Sequence, residues 1–258
     1  MNNTSIPWPT QRAIRGSMGF SAIVDIDGVY NPKTGGFHLA QDAVEAGHKS
    51  IFVRNGTYPG MTFTSAKLGT DFVMVGESQA GVIIDGGTTR SAIFMSTGAA
   101  RNEIHNMTLR TTAGQGNAWA CVFESGSGRN KYIDLYADEC DYNCFFTGSA
   151  GDRNLWLRCW AIETNGTQDG TGFYIATGDK NSIINCYAEG CSTDGFNGLD
   201  PGDNTLWLGN TARTNVGTGI LINSGADNHI LVANRCTGNG TNLTDNSGTG
   251  TSAGNDTT

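Results

Sequence analysis

The eleven-residue phrase GDRNLWLRCWA begins at Gly151 and returns 51 residues later as GDNTLWLGNTA at Gly202. A third copy, GDKNSIINCYA, starts between them at Gly178. Extending the template outward finds GAARNEIHNMTL at Gly98, GSGRNKYIDLYA at Gly126 and GADNHILVANRC at Gly225. The residue just before each apolar strand is Asn102, Asn130, Asn154, Asn181, Thr205 and His229, at spacings of 28, 24, 27, 24 and 24. In the last two copies the asparagine moves one place earlier, to Asn204 and Asn228. A period of this length, with short apolar strands, many turn residues and no helical pattern, predicts a β-solenoid in which each repeat is one coil. A coil needs sharp bends between strands. Asn is expected to take the left-handed backbone there, and the 37 glycines to serve the other bends.

The repeat resembles that of the right-handed parallel β-helix, or pectin-lyase-like, superfamily over roughly residues 50 to 240, and the resemblance extends to phage tailspikes. It implies an all-β fold: a single-stranded right-handed parallel β-helix with a short N-terminal capping helix. The stretch GFHLAQDAVEAGHKSIFVRNGTYPG supplies that cap, with Leu39, Ala40, Ala43 and Val44 on one apolar face, Gly47 ending the helix and SIFV starting the first strand. Residues 1–30 read as an extended arm, 31–240 as the β-helix domain and 241–258 as a flexible tail with almost nothing to bury.

Alternation along each strand separates inward from outward columns. Counted from the register residue, the inward columns are His105, Ile133, Leu157, Ile184, Leu208 and Val232, then Met107 through Asn234, then Leu109 through Cys236. One outward column then holds Ile104, Tyr132, Trp156, Ile183, Trp207 and Leu231; the next holds Thr108, Tyr136, Trp160, Tyr187, Thr211 and Arg235. Such a wall would carry exposed aromatic rings. They could stack on sugars or pack between the subunits of a homotrimer; alternatively, a phase shifted by one residue would turn them into a wide core.

The formal net charge of −8 provides no basic surface for nucleic acid, and no apolar run is long enough to span a membrane. The opening MNNTSIPWPTQRAIRG lacks a secretory apolar core, so either a signal has been removed or the protein leaves its cell another way, of which release by host lysis, used by phage proteins, is one. Seven cysteines without paired metal-ligand spacing, and four scattered histidines, lead us to expect no metal site, no cofactor and thiols kept reduced.

For chemistry, the turns after successive strands place Glu139, Glu163 and Glu189, followed by Asp194, where stacked carboxylates could act as general acid and base. The polygalacturonase, pectin-methylesterase and pectate-lyase motifs are incomplete: CSTDGF has only Thr193 and Asp194 of the first, and Arg158 and Arg213 lack the surroundings of the last. The expectation is therefore a virion-surface or tailspike-like homotrimer contacting host polysaccharide, with its N-terminal arm a candidate contact for other virion proteins; the alternative is a polysaccharide hydrolase or lyase.

Overall fold

The computed structural model describes residues 19–27, 36–64, 70–111, 120–148, 151–162, 164, 170–199, 204–225 and 227–258. Parallel strands stack coil upon coil into one sheet of 17 strands and another of eight. Most coils contribute three short strands. The first face contains Ser50–Val53, Val73–Gly76, Leu155–Leu157, Ser182–Ile184, Leu206–Leu208 and Ile230–Val232. The second contains Gly56–Pro59, Val82–Asp85, Trp160–Ile162, Tyr187–Glu189, Thr211–Arg213 and Arg235–Thr237; two long strands, Glu103–Thr111 and Lys131–Cys140, run through both faces. The third face is the eight-stranded sheet, from Met61–Phe63 to Thr241–Asp245. Equivalent positions align as the repeat predicts: Tyr132 pairs with Ile104 and Trp156, and Trp156 with Ile183.

Between the first and second faces, one residue per coil adopts a left-handed backbone: Asn106, Asp134, Arg158, Asn185, Gly209 and Ala233, with φ between 52 and 65°. This bend resets the alternation, and it corrects the expected phase. Tyr132, Trp156 and Trp207 are fully buried rather than surface-facing, along with Ile104, Ile183 and Leu231. The column containing His105, Ile133 and Leu157 is instead partly exposed. Beyond the bend the expected phase holds: Met107, Leu135, Cys159 and Cys186 point inward, as do Leu109 and the alanines 137, 161, 188 and 212. Trp156 and Trp207 are therefore core residues and neither bind sugar nor pack against another subunit. Tyr132 stacks on Trp156, and Phe145, Phe173 and Phe196 stack at centroid distances of 4.6 and 4.9 Å.

The register asparagines do not occupy the left-handed bend in the first four copies. Arg101, Arg129, Arg153 and Lys180 do, and Asn204 and Asn228 take that place only in the last two. The buried asparagines instead form a ladder. Asn130, Asn154 and Asn181 accept, through Oδ1, the backbone N–H of Asn102, Asn130 and Asn154 at 2.9–3.0 Å. Similar ladders run through Asn210, Asn234 and Asn255 at the second bend, and through Asn215 and Asn239 before the third face. Each satisfies a buried polar group that a turn would otherwise leave unpaired.

Helix α1, Ala40–Glu45, buries Ala40, Ala43 and Val44, and Gly47 follows at φ 88°. SIFV is not the outermost strand, because Ala22–Val24 pairs with it in parallel. The extended arm expected over residues 1–30 thus contains a solenoid strand; residues 1–18 lie outside the described set. The expected tail is also corrected. Thr241–Asp245 pairs with Thr218–Ile222 and Thr251–Ala253 with Ile230–Val232, because backbone pairing and the Asn255 ladder need no apolar side chains. Finally, a disulfide links Cys121 to Cys140. The two meet across a corner between coils, a contact that linear spacing does not reveal; the other five cysteines are buried and free.

Candidate functional site

The outward column of the second face is partly or fully exposed from Tyr136 to Arg235, whereas Thr108 before it is buried. The extended backbone beyond the bend directs alternate side chains to solvent, so Tyr136, Trp160 and Tyr187 stand above one another on three successive coils. Trp160 is 45% exposed in an interior-rich chain. Its ring lies 6.4 Å from Tyr136 and 5.0 Å from Tyr187, tilted by 39 and 38°. Thr108 precedes this strip, and Thr211 and Arg235 continue it.

Charged pairs border the strip on both sides. On the bend side, Arg158 forms a two-pronged pair with Asp134 at 2.7 and 2.8 Å. At the strand ends, Arg110 grips Asp138 at 2.8 and 3.1 Å, and Arg213 stands 3.6 Å from Glu189. Tyr187 donates its hydroxyl to Glu189 Oε2 at 2.7 Å, and burial together with that carboxylate raises the phenol above its usual range. A shallow depression lined by Gln79, Ile83, Thr108, Arg110, Tyr136 and Asp138 continues from the aromatic end. Rings flanked by fixed donors and acceptors present an apolar platform and hydrogen-bonding edges together, the combination that a sugar's face and hydroxyls require.

The carboxylates singled out from the sequence do not converge. Glu189 is on the strip's border, whereas Glu139 lies one position past the equivalent column and two coils away, exposed, with φ 52°. Asp194 lies toward the third face, where Oδ1 accepts the Thr218 N–H at 2.7 Å and Oδ2 accepts from Asn197 at 2.8 Å. Glu163 is outside the described residues. Both Asp138 and Glu189 already face an arginine, so the arrangement suits binding more than proton transfer. Among the described residues, no group of three or more His, Cys, Asp or Glu could hold a metal, and no helix is long and apolar enough to cross a membrane.

The linear reading missed a second row of rings. Phe94, Phe123, Phe146 and Tyr174 stack outward on the third face at 5.1–5.3 Å and are partly exposed. The recurrence of FM, FE, FF and FY just past the middle of successive coils was the available signal.

No family model and no curated protein matches the chain. Solved structures do. ORF18 of Geobacillus virus E2 aligns with a TM-score of 0.55 at 15% identity, covering 93% of this chain and 57% of that one. Pectin methylesterase PemA from Erwinia chrysanthemi aligns at 0.50 and 12% identity, covering 84% and 78%. The chain is a right-handed parallel β-helix, the fold it shares with these structures. At such identities the likeness conveys the fold of this β-helix alone.

Proposed function

We propose that this β-helix is a virion-surface, tailspike-like protein that contacts host polysaccharide through Tyr136, Trp160 and Tyr187, and that it assembles as a homotrimer. The observation that carries the binding role is Trp160, exposed between two tyrosines and bordered by paired charges rather than free ones. A viral protein among the fold neighbours, and a pectin methylesterase in complex with a hexasaccharide, are consistent with it. Trp160→Ala is expected to weaken binding in a glycan array or calorimetric titration roughly tenfold, about 1.4 kcal/mol. Unfolding should shift by no more than about 0.5 kcal/mol, since the side chain is at the surface. Unchanged glycan binding would remove the strip from the proposal. The rival reading assigns cleavage to Glu139, Glu163, Glu189 and Asp194. It would replace ours if the wild-type chain shortened a polysaccharide and Glu189→Gln did not.

A further inference from the structure

At the corner that opens the first face, one residue per coil takes a left-handed backbone. In four successive coils it is Arg101, Arg129, Arg153 and Lys180, with φ of 60, 60, 57 and 59°; in the next two it is Asn204 and Asn228. A long side chain is less at ease there than Asn or Gly, so the bend itself does not call for a cation. Arg101 is neutralised by Asp71 at 2.5 and 2.7 Å. Arg129, Arg153 and Lys180 are exposed and pair with no carboxylate among the described residues. Every other described arginine and lysine holds a carboxylate or, for Lys49 and Arg90, a backbone carbonyl.

The three unpaired cations therefore occupy one column on consecutive coils, with backbones about 4.8 Å apart. Cross-coil hydrogen bonds hold that column, from Arg129 N–H to Asp152 O and from Arg153 N–H to Asp179 O, both 2.8 Å. A depression beside Arg129 and Arg153 has Gly126 and Gly128 in its floor. A Cβ on Gly128 would come within 2.5 Å of the Asp152 carbonyl oxygen, so no side chain can fill that floor.

We propose that Arg129, Arg153 and Lys180 form an anion ladder that binds the carboxylate or sulfate groups of an acidic polysaccharide lying along the solenoid axis. The proposal rests on the polysaccharide reading but uses a different corner from the aromatic strip. Guanidinium groups grip oxyanions with two parallel N–H bonds, and a column of three lets one linear polymer make several contacts. Two exposed aspartates, Asp152 and Asp179, stand among the cations. Asp152 Oδ1 already accepts the Asp179 N–H at 2.9 Å, and the remaining carboxylate oxygens can accept bonds from sugar hydroxyls, which the backbone of duplex DNA does not offer. Among the described residues, the depression has no aromatic lining on which a base could stack, which favours a glycan over a nucleic acid.

The test compares the full chain with the triple variant Arg129→Asn, Arg153→Asn, Lys180→Asn, in which each substitution installs the residue that Asn204 and Asn228 already place at this bend. Binding of dextran sulfate, alginate, neutral dextran and duplex DNA is measured between about 20 and 200 mM salt, where released counterions register each charge contact. Dextran sulfate or alginate should bind the wild type with a steep salt dependence, and the preferred polymer identifies the oxyanion. The triple variant should lose about tenfold in affinity and show a flatter salt slope, with a melting temperature no lower than that of the wild type. The proposal is overturned if neither acidic glycan binds the wild type, if the triple variant keeps the affinity and slope, or if duplex DNA binds as tightly through the same three residues. Loss in Trp160→Ala with retention in the triple variant removes the ladder and leaves the strip; the opposite result removes the strip and leaves the ladder.

Discussion

Glu124 lies in an inward column whose other described members are Phe63, Met95, Thr147, Ile175, Gly198, Ile222 and, at the last coil, Asp245. It is fully buried and, among the described residues, faces no cation, but it accepts hydrogen bonds from Ser127 Oγ, Tyr132 Oη and Asn130 Nδ2, the last at 3.0 Å. Burial pushes its carboxyl up to about 7, and the Tyr132 and Asn130 bonds partly oppose the rise. The folded chain then binds this proton more tightly than the unfolded chain, whose carboxyl titrates near 4.5. The advantage of the protonated form is whole below that lower value and is lost as pH rises through about 7, for a total on the order of 3 kcal/mol. Thermal melts should therefore show wild-type stability falling between about pH 5 and pH 8, and a flatter profile for Glu124→Gln, which cannot ionise. Parallel profiles for the two proteins would refute this role. Nothing in the phrase ACVFES marks Glu124 as buried. Its partners Asn130 and Tyr132 belong to the next coil, and its neighbours in the sequence give no sign of them.

At the scale of strands and bends, the left-handed residues and the asparagine ladders hold the coils in register. Asn210 accepts the Cys186 N–H at 2.9 Å and donates Nδ2 to the Ile183 carbonyl at 2.9 Å. Asn210→Ala leaves both of those buried groups unpaired, so denaturant unfolding should report a loss of about 2 kcal/mol or more. Ala233 holds φ 54° without a polar side chain to favour it. Ala233→Gly is accordingly expected to raise stability by about 0.5–1 kcal/mol, and a decrease would count against strain at that bend. The asparagine spacing was plain in the sequence, but its role was not. Left-handed backbone and ladder acceptor are both ordinary uses of Asn, and only the register of Arg129 beside Asn130 distinguishes them. The other bend, at Asp134 and Arg158, decides where the rings point: alternation restarts there, so Tyr132 and Trp156 face inward while Tyr136 and Trp160 beyond it face outward.

For the molecule as a whole, the proposed homotrimer is tested by light scattering on the purified chain. A mass near three times 27.2 kDa is expected, and one near 27.2 kDa would remove the assembly from the proposal. Because Trp156 and Trp207 are in the core, changing them would unfold the coil rather than separate subunits; Trp→Ala in such a site costs about 3–5 kcal/mol. The recurring phrase was enough to show a parallel β-helix and to identify the residues stacked in each column. A solenoid pairs each residue with its counterpart one period away, so linear spacing becomes vertical neighbourhood. Which side of a strand faces inward, the Cys121–Cys140 link, the burial of Glu124 and the neutralising of Asp138 and Glu189 by arginines required the folded coil. Each depends on the local direction of a bend or on a contact across a corner, and a one-dimensional repeat encodes neither.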